Sequence, residues 1–329
     1  MSQPSHRPGR LGVGVISAGR VGAVLGAALR GAGHAVVGVH ASSEASRERA
    51  ATLLPDVPVL DVQSIVERSE LVLLAVPDDQ LPGLVSGLAA TGAWQPGQLV
   101  VHTAGRHGTG VLEPVRAAGG IGLAVHPAMT FTGLSLDLQR LADCSFGVTA
   151  AAPVLPIAQA LVVEMGAEPV VVAEADRPLY HAALAHGSNH VMTVLGESMQ
   201  LLGEIGVEHP DRVLGPLVRA TVDNALASGE NALTGPVARG DVTTVAAHVA
   251  ALRELAGGGA RAAHDAAGPV GSADHDAAGP TGNADHDAAR QLLAGYRALA
   301  RQTARRAAAS GRLDETSYRA VMAAIEEEQ

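Results

Sequence analysis

The chain has 329 residues, enough for two domains of ordinary size, and is 47% hydrophobic but only 2% aromatic, so its cores must be built mainly from Ala, Leu and Val. Its formal net charge of -10 comes with no basic cluster, which argues against nucleic acid or an anionic membrane surface as partner and leaves a small soluble molecule. All 23 basic residues are arginine, so no mechanism that needs a lysine can operate.

Along residues 10–173, short β-branched runs alternate with helical patterns, the signature of βαβ units. Strands are predicted at 11–16, 35–39, 71–76, 99–102, 122–125, 146–149 and 169–172, giving an α/β fold with a doubly wound, mostly parallel sheet. After Asp176 the strand signals stop. Helices are predicted at 177–207, 213–228, 242–255, 288–309 and 314–327, which makes 174–329 an all-helical second domain. In the first of these, Leu184, Val191, Leu195 and Leu202 recur at helical spacing and are expected to form its buried stripe. An insertion at about 257–287 repeats HDAAGPVGSAD as HDAAGPTGNAD and begins again at His286. Its Gly-Pro pairs and lack of large apolar residues predict disorder. His264, His275 and His286 carry metal-binding side chains, but their spacing suits no closed site, and no metal is expected.

Cys144 is the single cysteine, so no intrachain disulfide can form and a reducing compartment is expected. The apolar stretch after Arg7 and Arg10 is short and broken by Gly12 and Gly14, unlike a signal peptide. No segment approaches the roughly 20 apolar residues of a membrane helix. A cytoplasmic location is expected.

The first predicted strand runs into Ser17-Ala18-Gly19-Arg20-Val21-Gly22. A dinucleotide fingerprint needs glycines for the tight turn, for close approach to the pyrophosphate, and for helix packing on the strand. Gly19 and Gly22 fill the second and third places; Ser17 stands at the first, although serine tolerates positive φ poorly. Backbone N–H groups of Gly19 to Val21 at the helix start would then hold phosphate. A tight turn without ligand is the bland alternative. After the second strand the sequence reads His40-Ala41-Ser42-Ser43, with no carboxylate to repel a 2'-phosphate. Ser42 and Ser43 can donate to such a group and Arg47 or Arg49 can neutralise it, so NADPH is favoured over NADH.

In open α/β sheets ligands sit beyond the carboxyl ends of the strands. Three such places carry polar residues: Val76-Pro77-Asp78-Asp79, His102-Thr103-Ala104-Gly105 and His126-Pro127. Val76, Pro77 and Thr103 are therefore expected beside the cofactor, and Asp78 and Asp79 either there or capping the next helix. His126 is the leading proton donor, because a strand end aims it at the cleft and imidazole titrates near neutral pH; the alternative is a structural histidine. His102 is a weaker candidate. On the long helix, His181, Ser188 and Asn189 share one face, either as a cleft wall or as packing polar residues. Arg239 can grip a carboxylate through paired hydrogen bonds or pair with Asp241 to shape its own loop.

As a set, VGVISAGRVG at 13–22, HPAMTF at 126–131, YHAA at 180–183 with Ser188-Asn189, and LTGPVARGD at 233–241 resemble a bacterial family of Rossmann-type, NAD(P)-binding oxidoreductases whose C-terminal half is a domain of unknown function. That family is similar in architecture to pyrroline-5-carboxylate reductase, ketopantoate reductase and 6-phosphogluconate dehydrogenase. The resemblance implies a cleft between the domains and a homodimer formed through the helical one. The lysine that acts in proton transfer in some of those enzymes, four residues before an asparagine, corresponds here to Ala185 before Asn189. Residues and resemblance together lead to an NADPH-dependent reductase of a small carboxylate-bearing carbonyl or imine, such as the 2-oxo acid ketopantoate. The nicotinamide would supply hydride, His126 or His181 the proton, and Arg239 the grip on the carboxylate. Ser188 and Asn189 would orient the reacting oxygen or the nicotinamide amide. The competing reading is a dinucleotide-binding sensor or assembly protein without chemistry.

Overall fold

The computed structural model describes residues 10–257 and 282–327; most of the repeat, its three histidine side chains and the disorder expected there lie outside the described residues. Two compact units meet between Val191 and Met192.

The first unit carries seven strands: β1 Gly12–Ile16, β2 Ala35–His40, β3 Leu71–Leu74, β4 Leu99–His102, β5 Ile121–Pro127, β6 Ser145–Thr149 and β7 Glu168–Val171. All seven predicted strands are present. They lie in the order β2-β1-β3-β4-β5-β6-β7, parallel throughout except for the antiparallel β5–β6 pair. The helices of this half are α1 Arg20–Gly31, α2 Glu44–Leu53, α3 Val62–Arg68, α4 Leu81–Ala90, α5 Glu113–Ala117, α6 Leu136–Arg140 and α7 Leu155–Glu164.

Central strands such as LVLL at 71–74 are apolar at every position because both faces are covered. Alternation sends Leu71 and Leu73 into one core with Val24, Leu25, Leu161 and Val162. It sends Val72 and Leu74 into the other with Ile65, Val85, Trp94 and Leu112. Helices thus sandwich the sheet, and the chain leaves β1 for β2 on one side and returns to β3 on the other. The carboxyl ends of β1 and β3 flank that switch point, where open α/β sheets place their ligands.

α8 Arg177–Glu204 runs out of the first unit, followed by α9 Pro210–Ser228, α10 Pro236–Arg239, α11 Val242–Ala256, α12 Gly282–Ala309 and α13 Glu315–Glu326. The core of the second unit is small-residue packing, with Ala300, Ala304 and Ala307 of α12 against Val245 of α11 and Val321 and Ile325 of α13. Alanines one turn apart let these helices approach closely. Among the described residues no helix is long and apolar enough to cross a membrane.

The expected buried stripe of α8 is not buried. Val191 is 41% exposed, Leu184, Leu195 and Leu202 are only half-buried, and Arg177 is the one buried residue of the helix. α9 buries none, and Leu179, Met192, Leu217 and Leu226 are exposed. Periodicity identifies an apolar face without specifying what covers it; among the described residues this face is left largely exposed.

Gly14 of β1 lies under α3, where a Cβ would meet Ser69 Oγ at 2.2 Å and Ile65 Cγ2 at 2.4 Å. Gly14→Ala is expected to destabilise the first unit by about 1–3 kcal/mol, read as a lowered urea midpoint; an unchanged midpoint would show that α3 is free to shift.

Candidate active site

The glycine turn follows β1 directly. Ser17 adopts φ +80°, the conformation its position demands, at a cost of roughly 1–2 kcal/mol for a residue with a Cβ. Such strain is found at functional sites when the surroundings enforce it. Here the Ala18 amide donates to the His40 carbonyl at 2.8 Å, tying the turn to the end of β2. A Cβ on Gly22 would stand 2.0 Å from the Ser17 carbonyl oxygen and 2.9 Å from Ala75, so only glycine lets α1 pack this close. Gly19 differs, because a Cβ there would meet only Ser17 Oγ, at 3.5 Å. Its open face leaves room for a ligand. Gly19 is the N-cap of α1 and makes no side-chain cap bond, so no side chain competes for the amides of Arg20, Val21 and Gly22. The turn therefore fits a dinucleotide pyrophosphate.

Beyond β2, the Ser43 hydroxyl caps α2, accepting from the Ser46 amide at 3.2 Å in a capping box. The same hydroxyl is thus engaged by the start of the helix. Ser42 remains exposed, and Arg47 Nη1 donates to its carbonyl at 3.0 Å. Arg49 Nε reaches the Ala18 carbonyl at 3.4 Å, over the turn. After β3, Val76 is half-buried and Pro77 exposed. The Thr103 amide donates to the Leu74 carbonyl at 3.2 Å, which ties the ends of β3 and β4. Neither Asp78 nor Asp79 caps α4, whose N-cap is Gln80; Asp78 lies 3.9 Å from Arg106 Nε.

The second part of the site is built on α8. Arg177, its first residue, is fully buried. Its Nε donates to Thr149 Oγ1 at 2.7 Å and its Nη2 to the carbonyls of Ala124 and Gly147, both at 2.9 Å. This fastens α8 to the middle of the β5–β6 pair. Three and four residues on, Tyr180 and His181 share the face that Arg177 presents to the sheet. Gly147 stands opposite His126 in the β5–β6 register, and a Cβ there would lie 2.6 Å from Tyr180 Cζ and Oη. The missing side chain admits the Tyr180 ring, whose hydroxyl lies 3.0 Å from His126 Nδ1. Gly105, after β4, does the same for the histidines: a Cβ would be 2.4 Å from His181 Cδ2 and 3.0 Å from both His181 Nε2 and His126 Nε2. The two imidazoles meet edge to face, with centroids 5.8 Å apart.

Burial drives the His126 pKa down to about 4, and the neighbouring His181 and Arg177 push the same way. His126 is therefore neutral at pH 7, which corrects the expectation that it titrates near neutrality. His102 is structural. It is completely buried; its Nδ1 accepts from the Ala104 amide at 3.2 Å, so its Nε2–H donates to the Gly108 carbonyl at 2.9 Å. Burial takes its pKa to about 4 as well. The same loop is held by Glu174, whose carboxylate accepts from the amides of Thr109 and Gly110 at 2.8 and 2.9 Å.

The structure thus brings His126 and His181 together and adds Tyr180, Arg177 and Glu174, to which the sequence reading gave no role. The one available signal was the i, i+3, i+4 pattern of Arg177, Tyr180 and His181. Ser188 and Asn189 stand two turns further along α8, roughly 10 Å up the axis, with exposed side chains. Arg239 belongs to the second unit, where it is exposed and reaches Thr234 Oγ1 at 3.5 Å. Asp241 caps α11 by accepting from the Thr244 amide. Among the described residues no group of three or more His, Cys, Asp or Glu side chains could hold a metal ion.

Residues 1–127 match the Rossmann-like domain family, and residues 144–266 match a domain of unknown function, DUF2520. No curated protein sequence matches the chain. Among solved structures, a candidate NADP oxidoreductase from Bacteroides fragilis is similar with a TM-score of 0.63 at 21% identity, over 74% of this chain and 92% of that one. An imine reductase from Pseudomonas sp. gives 0.52 at 16%, over 74% and 85%. Pyrroline carboxylate reductase of Plasmodium falciparum with NADP bound gives 0.50 at 12%, over 69% and 86%. At these identities the likeness establishes the fold, and it agrees with the pairing of domains that the sequence motifs imply.

Because His102 and His126 have pKa values near 4 when folded, against about 6.5 unfolded, the unfolded chain binds more protons between those limits. Their contribution to stability is present above pH 6.5 and is lost as pH falls through 4. Urea midpoints should drop over this interval, and His126→Asn should make the drop shallower; an equally steep fall in the variant would refute the neutral assignment.

Proposed function

We propose that this chain, which joins a Rossmann-like domain to DUF2520, is an NADPH-dependent oxidoreductase that reduces a small carboxylate-bearing carbonyl or imine, for example a 2-oxo acid. The observation that carries this reading is the convergence of neutral His126 and half-exposed His181 on Gly105, just beyond the carboxyl end of β4, one strand removed from the switch point. Ser17, Ala18, Gly19, Arg20, Val21 and Gly22 would hold the pyrophosphate, and Val76, Pro77 and Thr103 the nicotinamide half. When bound, the nicotinamide supplies a hydride.

The rest of the chemistry falls to the chain. His181, half-exposed, gives a proton to the reacting oxygen or nitrogen, while neutral His126 donates a hydrogen bond there without adding charge. Arg239 holds the carboxylate. Ser188 and Asn189 orient the reacting oxygen or the nicotinamide amide. Ser42 at the end of β2, with Arg47 bound to its carbonyl and no carboxylate at 40–43, supports NADPH over NADH. The open apolar faces of α8 and α9 support a homodimer, since a large exposed apolar patch marks an interaction surface.

Calorimetry should show NADPH binding at least about tenfold tighter than NADH, with Arg47→Ala removing most of that difference. Binding of neither nucleotide would overturn the proposal. A screen of 2-oxo acids and cyclic imines should then reveal NADPH consumption, reduced roughly 100-fold or more by His181→Asn. Tight NADPH binding with no turnover across the panel would favour a sensor. Light scattering is expected to give twice the chain mass, and a monomer would remove the dimer.

A further inference from the structure

We infer that Tyr180 is a positioning residue: its hydroxyl donates to His126 Nδ1 and so fixes His126 as the tautomer that carries its proton on Nε2. The 3.0 Å contact between Tyr180 Oη and His126 Nδ1 admits two arrangements, with the proton between them belonging either to the phenol or to the imidazole. Burial raises the Tyr180 pKa, so the phenol keeps its proton at neutral pH. His126 is neutral, so its ring holds one proton.

The choice follows from where the phenol hydrogen can go. His126 Nδ1 is the hydrogen-bond acceptor within reach of Tyr180 Oη, and an imidazole nitrogen can accept only when it carries no hydrogen. Donation from Tyr180 satisfies both groups. The reverse arrangement leaves the half-buried phenol O–H without a protein acceptor among the described residues. Arg177, with Cζ 5.7 Å from the Tyr180 ring centroid, adds positive charge near the phenol and strengthens its O–H as a donor. The partner of one ring nitrogen thereby decides the state of the other.

The other nitrogen is the one that matters for chemistry. Nε2 is the His126 atom nearest the missing side chain of Gly105, beside His181. Locked by Tyr180, it presents an N–H that can stabilise charge developing on a substrate atom while the ring stays neutral. The importance for turnover rests on the proposed role of His126; the tautomer does not.

The test is nitrogen-15 NMR of the full chain with labelled histidine, at a pH above 6.5 and without cofactor, the His126 signals being those that vanish in His126→Asn. The expected result is a protonated Nε2 and an unprotonated Nδ1. In Tyr180→Phe, and in Gly147→Ala, which keeps the tyrosine but displaces its ring, the two tautomers should interconvert and give averaged shifts. A protonated Nδ1 in the native chain, or shifts unchanged in Tyr180→Phe, would overturn the inference. With a substrate found by the screen, Tyr180→Phe should also lower kcat by about tenfold, as loss of a supporting hydrogen bond does at catalytic centres. A lock present in the spectra but with kcat unchanged in both Tyr180→Phe and His126→Asn would instead refute the catalytic role proposed for His126.

Discussion

The buried guanidinium of Arg177 fixes the candidate site. A charge removed from water is costly unless acceptors are turned toward it; here two strand carbonyls and the Thr149 hydroxyl serve Nε and Nη2, while Nη1 is buried without a partner among the described residues. Glu174, three residues earlier, is fastened to the loop after β4. Between them the start of α8 is tied to the sheet and to the loop after β4. Tyr180 and His181 therefore reach the end of β5 as a consequence of helical geometry and need no further restraint of their own.

Space is provided by what is missing. Gly147 and Gly105 stand where any side chain would collide with Tyr180 and His181, and Gly22 stands where one would collide with Ser17. The polar groups of both halves of the site are thus seated in the vacancies of three glycines, one in α1, one in the loop after β4 and one on β6. Seated this way, His126 loses water and with it the ability to carry charge.

Much of this was legible beforehand. Unbroken apolar runs revealed the strands, since burial on both faces leaves no other composition, and Gly19 and Gly22 marked the turn. His126 and His181 were identifiable as strand-end and helix-face histidines. Their meeting was not, because it depends on Arg177, whose burial no local pattern announces. The neutral state of His126 was hidden for a similar reason: desolvation is a property of the packed site. The capping task of Ser43 was hidden because the serine at the end of the strand and the serine at the start of the helix are the same residue here. For α8 the periodicity was real, but what covers its face is not written in the face itself.

The antiparallel pairing of β5 with β6 has an architectural outcome. A strand that reverses needs no crossover, so the segment from Ala128 to Cys144 leaves and re-enters the sheet at the same end of the strands, pinned where the Ala128 amide meets the Ser145 carbonyl. Its turn is organised by buried Asp137, which accepts from the amides of Thr132 and Gly133. A change in its exposed length would alter the surroundings of His126, whereas Phe131, Leu141 and Cys144, which belong to the core of the sheet, tie the rest of the segment to the scaffold. Divergence among such proteins has a place to happen without renegotiating the fold.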